Sequence, residues 1–465
     1  MRVPLTSRAQ GHRAASMTAI AAVAAWLALY GWRAVVGHLS LGTNAYDLSV
    51  FDYALWSLAH GGHGAVSFLG HSIFSEHFMP VLYALAPLHW LYPSPMLLLL
   101  LQPVAAAAAA VLFRRVMDTQ QGVSPWLATA LMLMFLLARR THSAMSGYFY
   151  PEVFQAPLTF AVVLLWNARA WVTWPCMIAL LSTKEDAPLY LAGFALFALV
   201  TGRGSRRRAM AALAASVVWF MLALTVAIPA SRRADGLSAS NPLLAGRYGA
   251  QQGDSTIATV GGHLFSGKTA ATITGMVATT GLLPLAGAAW MTPALPGLVA
   301  NLAAAPDSMQ SGLIDHYAWP ILPWLFLSAA AGASWLHRRW PKAAAAWVVV
   351  LLLATAGDNP AIQRMFERRI PPEAAVVRDQ LARVTGTTIL AQPNLIPHLP
   401  RSASTYAIGS PVDPPVTPDL ILLSTVGNQW PLSADAVAAQ IVKYRGDARY
   451  EELLSGPLVA FRLRR

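Results

Sequence analysis

Cysteine is almost missing: Cys176 is the only one in 465 residues, and it lies inside an apolar run. That excludes a disulfide framework and leaves no thiol set for a metal. Charge is scarce as well, with 12% charged residues against 56% hydrophobic and a mean hydropathy of +0.47. A chain this apolar cannot cover a wet exterior, so a soluble globular protein is excluded and an integral membrane protein remains. Acidic residues are the scarcer sign, 21 against 33 basic, which gives a net charge of +12. The basic residues, almost all arginine, fall in short clusters between apolar runs. They read as topology signals under the positive-inside rule, not as a nucleic-acid surface.

What the chain does have is a succession of apolar runs. Arg2, Arg8 and Arg13 precede MTAIAAVAAWLALYGWRAVVG, which is long enough to span the hydrocarbon core and passes into Gly31-Trp32-Arg33 without a cleavage-site pattern. It reads as an uncleaved anchor with a cytoplasmic N-terminus. Further runs over 95–113, 124–138, 153–166, 171–181, 189–200, 209–228, 272–290, 295–305, 315–335 and 343–356 alternate so that Arg114-Arg115, GRGSRRR and HRRWPK face the cytoplasm. Arg139-Arg140 then fall outside, against the rule. The bookkeeping predicts about eleven spans. It divides the chain into a membrane domain over 1–357, with a first external loop at 38–94 and a large external loop at 230–271, and a C-terminal domain over 358–465 that lies outside. In the latter, helical 373–384 and 434–444 alternate with strand-like TTILAQ, STYAIG, DLILLST and LVAFRLRR, a small α/β pattern with no GxGxxG or GxxxxGK[ST] fingerprint.

The first loop is the most informative stretch. NAYDLSVFDYALWSLAHGGHGAVSFLGHSIFSEHFMP packs Asp47, Asp52, His60, His63, His71, Glu76 and His77 between two apolar segments. Leu48, Phe51, Leu55 and Leu58 repeat at helical spacing, with Asp52, Trp56 and His60 on the neighbouring face. This predicts a helix lying in the interface with its polar side in water. The apolar run 77–90 predicts a second surface helix, because a span there would carry Arg114 and Arg115 outside.

On this topology Asp47, Asp52, His71, Glu76, His77, Tyr148, Glu152, Lys184, Glu185, Asp186, Asp307, Asp315, His316 and Tyr317 all fall at the outer face. Ionisable groups at membrane depth are costly and normally face a cavity, so the clustering predicts an outward-facing polar chamber. Each candidate has a plainer alternative. Asp47 suits a helix N-cap; Asp52, Trp56 and His60 suit a wet helix face; Lys184-Glu185-Asp186 suits a charged helix end; Tyr148 and Tyr150 suit an interfacial aromatic belt. The histidines lack HExxH spacing, so no protein-held metal is expected.

NAYDLSVFDYALWSLAHG, EHFMPVLYALAPLHWLYPSP, YFYPEVFQAPL, LLSTKEDAPLYLAGFALF and IDHYAWPILPWLFLSAAAG, in that order, resemble the blocks of a bacterial predicted-membrane-protein family of unknown function, number 2079. Ser49 stands where glycine is usual and Tyr53 where glutamine is usual. That family in turn resembles the GT-C superfamily of integral membrane glycosyltransferases, which draw a sugar from a polyprenyl-phosphate carrier and use an acidic residue in the first external loop. The resemblance implies an all-α polytopic fold in the bacterial cytoplasmic membrane. It also implies Asp47 as general base, with Asp52 as runner-up. His77, Glu76, His71, Tyr148, Glu152, Lys184, Glu185, Asp186, His316 and Tyr317 are then the residues around donor and acceptor. The implied partners are a lipid-linked sugar donor, membrane lipids and an extracytoplasmic glycan, lipid or protein acceptor. A divalent cation on the donor phosphate is the one cofactor for which the chemistry leaves room. Two other classes stay open: a transporter or flippase of a lipid-linked intermediate, and a non-catalytic scaffold of envelope assembly. A transporter usually shows symmetry between halves and polar groups at mid-membrane, whereas polarity here gathers at one face.

Overall fold

The computed structural model describes residues 5–145, 149–240, 248, 256–364, 367, 369–410 and 412–464. In chain order the first helices are α1 (Leu5–Leu39), α2 (Val50–Ala59), α3 (Val81–Leu91), α4 (Pro95–Val116), α5 (Pro125–Leu137), α6 (Arg139–Ala144), α7 (Gln155–Leu165), α8 (Ala170–Leu181), α9 (Ala187–Thr201), α10 (Arg206–Leu222) and α11 (Ile228–Ala234). α4 starts where the sequence says it should: the Ser94 side chain accepts from the Met96 N–H and Pro95 fills the first helical position, where its missing N–H costs nothing. α10 runs through a π-turn into α11, so this helical segment goes on to Ala234, past the boundary at Ile228 that the apolar run suggests.

Among the described residues, three helices are long and apolar enough to cross a bilayer: Gln10–Leu39, Pro95–Gln121 and Arg206–Ala234. The spacing of apolar runs predicts about eleven spans, and the difference has a physical cause. α5, α7, α8 and α9 have 13, 11, 12 and 15 residues: α5 starts at Pro125, α7 follows a 3-10 turn, α8 holds Pro175 inside it, and α9 has Pro188 in its first turn and stops at Gly202. The expected span over 272–290 is not one helix either. Gly267–Ala278 ends at Gly281 and Leu282, both at φ +62°, and the chain continues as short turns through Pro284, Gly287 and Pro293 to the helix Leu295–Leu302. These turns pack backbone to backbone on the helix Leu322–Arg339. Ser328 Oγ donates to the carbonyls of Pro284 (3.0 Å) and Gly287 (2.8 Å), and a Cβ on Gly332 would lie 2.0 Å from the Leu283 carbonyl oxygen. Gly332→Ala is therefore expected to cost about 1–3 kcal/mol, read as a lowered Tm of the detergent-solubilised protein. An unchanged Tm would show that the contact yields freely.

The centre of the helical part is aromatic. Phe113, Phe135, Phe160 and Phe326, from α4, α5, α7 and Leu322–Arg339, have ring centroids 5.1–6.1 Å apart, partly edge to face. The arginines that break the charge rule are partly accounted for here. Arg140 donates to the carbonyls of Thr272, Gly312 and Leu313, and Arg139 pairs with Asp358 at 3.3 Å, so both fasten chain segments together.

The C-terminal part is a five-stranded sheet. β3 (Ile389–Ala391), β4 (Thr405–Ala407), β5 (Leu420–Ser424), β6 (Tyr450–Leu454) and β7 (Leu458–Leu463) lie in the order β4-β3-β5-β7-β6. Their numbering follows β1 (Ala65–Val66) and β2 (His71–Ser72), a small hairpin in the first loop. β3, β4 and β5 are parallel; β6 and β7 are antiparallel additions. LILLS of β5 is buried at every position, as a strand covered on both faces must be. One face packs with the helix Ala434–Arg445 around Ile421, Leu423, Val437 and Phe461. The other, through Ala391, Leu395, Ile396 and Leu420, joins the main core together with Leu41 and Ala45.

That second face corrects the reading of α2. It is not a half-wet surface helix: Val50, Phe51, Asp52, Tyr53, Ala54, Leu55 and Ser57 are all buried. The C-terminal sheet domain covers the face assigned to water at Asp52, through Arg401, while Trp56 stays half-buried and His60 exposed. The Ala45 N–H donates to the Pro393 carbonyl (3.0 Å), the Asn428 N–H to the Leu41 carbonyl (2.9 Å), and Ser410 Oγ to the Phe68 carbonyl (2.7 Å). Gly427 has φ +87°, and a Cβ there would sit 2.5 Å from the Leu41 oxygen, so the domain approaches as closely as backbones can. α3 keeps one open side, with Tyr83, Leu88, Trp90 and Leu91 exposed.

Candidate functional site

Asp47 sits in a π-turn, Ala45–Ser49, that leads into α2. The cap of this turn is Asn44, whose side chain accepts from the Tyr46 N–H at 3.2 Å. Asp47 is therefore free of the capping role and aims elsewhere: its Oδ1 accepts from the Tyr150 hydroxyl. Burial raises the Asp47 pKa to about 6; the Tyr150 hydrogen bond pulls the other way and the nearby Asp315 adds to the rise.

Tyr150 opens a continuous series of contacts. Its ring stacks on His316, centroids 3.8 Å apart, and His316 Nε2 lies 3.8 Å from Glu152 Oε1. That oxygen takes a hydrogen bond from Lys184, and the Lys184 ammonium stands 5.5 Å above the Tyr317 ring centre. Glu152 and Lys184 are 1% and 3% exposed, so the pair is a buried ion pair. Burial opposes the lysine's charge, but Glu152, Asp186 and Glu185 outweigh it and hold the ammonium above its usual pKa. The local sequence explains the placement: Glu152 is in the 3-10 turn that begins α7, and Thr183 to Asp186 form the link between α8 and α9.

A second row lies behind this one. His77 Nδ1 is 2.8 Å from Glu185 Oε1, and the Phe78 N–H donates to the other oxygen at 3.0 Å. Burial would raise the Glu185 pKa, but His77 and Lys184 bring it to about 2. Asp186 accepts from Gln155 Nε2 at 3.0 Å; burial takes it to about 6, with Lys184 opposing and Glu185 and Glu152 adding. Lys184 and His77 each already face a carboxylate and do not form an isolated cation pair.

Other candidates lie apart. Asp52, 1% exposed, is bound by Arg401 through Nε (2.7 Å) and a terminal nitrogen (3.0 Å) and by His89 Nε2 (2.9 Å). His71 pairs with Glu76 at 3.0 Å beside the hairpin. Tyr148 lies outside the described residues. Tyr150, read from sequence as belt aromatic, belongs to the site, and Arg401 and His89 were not singled out at all. Among the described residues no three His, Cys, Asp or Glu side chains are grouped to hold a metal. With Tyr150, Lys184, His77 and Gln155 on the site's carboxylates, the set does not fit a divalent cation held by the protein alone.

Residues 37–453 match the family model described as "Predicted membrane protein (DUF2079)". The chain belongs to that family. As a DUF2079 protein with helices of membrane-spanning length, it is a multi-pass membrane protein. No curated protein matches it in sequence. Among solved structures it is similar to ArnT from Cupriavidus metallidurans bound to undecaprenyl phosphate, with a TM-score of 0.54 at 14% identity over 95% of this chain and 97% of that one. It also aligns with the arabinofuranosyltransferase AftD from Mycobacteria, with a TM-score of 0.49 at 15% identity over 96% of this chain and 40% of that one. At such identity the ArnT likeness establishes the fold of this DUF2079 protein, helical with a small C-terminal sheet domain.

Proposed function

We propose that this protein is a membrane glycosyltransferase that moves a sugar from a polyprenyl-phosphate donor to an extracytoplasmic acceptor, with Asp47 as general base. The observation that carries the reading is the half-buried Asp47 carboxylate, its pKa raised to about 6, at one end of a contact series that ends in the buried Lys184. The ArnT-like fold, seen in that protein with undecaprenyl phosphate bound, supports a lipid-phosphate donor. In this reading the shorter helices complete about eleven spans in the bacterial cytoplasmic membrane. The N-terminus is then cytoplasmic, and both the first loop and the C-terminal domain, residues 358–465, lie outside.

Asp47 takes the proton of an acceptor hydroxyl as its oxygen bonds to the sugar's anomeric carbon. The bond from that carbon to the phosphate oxygen breaks, and its electrons leave with polyprenyl phosphate. Lys184 uses one of its three N–H donors on Glu152 and is among the residues that line a cavity; in this reading its remaining donors steady the growing phosphate charge. Tyr150 orients the base. Asp52 is the weaker candidate, because Arg401 and His89 occupy both its oxygens; its role here is to anchor α2. The remaining candidates, His77, Glu185, Asp186 and His316, hold Lys184 and Tyr150 in place.

The test is to incubate the purified protein with polyprenyl-phosphate sugars and a range of acceptors. Free polyprenyl phosphate should appear only in the presence of an acceptor. Movement of intact donor across a vesicle membrane without its release would instead establish a flippase.

A further inference from the structure

Beside Lys184 lies a cavity of about 310 Å³ between α9, α10 and the helix Leu295–Leu302. Leu189, Phe220 and Leu224 give it an apolar lining, and Lys184, Glu185, Asp186, Gln310 and Tyr317 bring polar groups to it. Gln310 is 8% exposed, and half of its amide is used. Its Nε2 donates to Asn301 Oδ1 at 3.1 Å, and Asn301 Nδ2 donates to the Tyr190 hydroxyl at 3.3 Å. Gln310 Oε1 has no hydrogen-bond partner among the described residues.

Turning both amides over does not remove the mismatch. Tyr190 then donates to Asn301 and Asn301 to Gln310, and the Gln310 NH₂ becomes the unmatched group. Tyr190 cannot relax to repair this, because a Cβ on Gly297 would already lie 2.2 Å from its ring, so the tyrosine is pressed on the backbone. A buried polar group left unmatched is costly. A sugar hydroxyl, which both donates and accepts, satisfies the amide in either orientation, and the cavity is at the small end of ligand pockets, about 300–1,000 Å³. That suits one sugar ring and not an oligosaccharide.

We infer that this cavity is the donor sugar subsite and that Gln310 is its specificity-determining residue, hydrogen-bonding one ring hydroxyl. The inference rests on the proposed transfer reaction, in which Lys184 holds the phosphate to which the ring is attached. A site built to bond a hydroxyl discriminates against a donor lacking it far more than a purely apolar pocket can.

The experiment measures binding, so it does not depend on turnover. The full-length protein in detergent is titrated with bare polyprenyl phosphate and with a panel of polyprenyl-phosphate hexoses and pentoses, and the tightest of these is carried forward. Wild type should prefer the sugar-bearing lipid. Gln310→Met, close in volume, should reduce that preference roughly 5- to 100-fold while leaving affinity for bare polyprenyl phosphate unchanged. Gln310→Glu, which keeps an acceptor, should retain part of it, and a donor lacking the contacted hydroxyl should lose the preference in wild type but lose nothing further in Gln310→Met. Equal preference in wild type and both variants overturns the subsite, whether or not the enzyme turns over, and so does a wild type that binds bare and sugar-bearing lipid equally. Loss of preference without any release of polyprenyl phosphate upholds the subsite and overturns the transfer reaction alone.

Discussion

Asp47→Asn should lower kcat roughly 10²- to 10⁴-fold, the usual contribution of a general base, while leaving the protein at least as stable as wild type. The stability half follows from linkage. The folded pKa, about 6, is above the roughly 3.9 of an unfolded aspartate, so the folded state holds the proton more tightly. Asp47 therefore favours folding fully below the unfolded value, and that contribution is lost as pH rises through about 6. At pH 7 the partly desolvated charge is a cost that asparagine does not carry. Activity has the opposite trend: kcat/KM should rise tenfold per pH unit up to about 6 and then level, and the asparagine variant should lack that limb. An active Asp47→Asn protein with the wild-type pH profile removes Asp47 from the mechanism.

Arg401→Met should be the most destabilising single change at the junction between the helical part and the sheet domain. It strips the bidentate partner from a carboxylate that is 1% exposed and leaves only His89 on it. Breaking a buried ion pair from one side costs about 3–5 kcal/mol, whereas removing both charges is often close to neutral. The double variant Asp52→Leu/Arg401→Met should thus be more stable than Arg401→Met alone, a sign of coupling that a mere packing defect would not give. Thermal unfolding in detergent reads both. A loss below about 1 kcal/mol would place this ion pair with exposed ones.

How much of this is readable in the sequence depends on the range of the interaction. The strands β3, β4, β5 and β7 announce themselves through TTILAQ, STYAIG, DLILLST and LVAFRL, because alternation and β-branching are local. β6, with two glutamates in YEELL, does not. The outer-face clustering of Asp47, Glu152, Lys184, His316 and Tyr317 follows from charge bookkeeping, and the structure brings these residues together. Periodicity sorts a helix into one apolar and one wet face, so it could not show that α2 is covered twice. Nothing local in Asp52 points to Arg401, 349 positions away. Tyr150 looks like any interfacial tyrosine until its hydroxyl is seen on Asp47. The broken path after Gly281 was hidden because Leu, Ala and Trp around it are apolar enough to pass for a span.

The covering of α2 by the sheet domain also orders events in time. During synthesis Asp52 and the Asp47 turn leave the ribosome early, while Pro393, Arg401 and Asn428, which fasten that segment, come more than 340 residues later. At about 5–20 residues per second the nascent chain spends tens of seconds with the Asp47 turn not yet fastened by the sheet domain. An incomplete chain stalled before Pro393 carries the Asp47 turn without the hydrogen bond from the Ala45 N–H to the Pro393 carbonyl, so this turn reaches its final packing only once translation has passed the sheet domain.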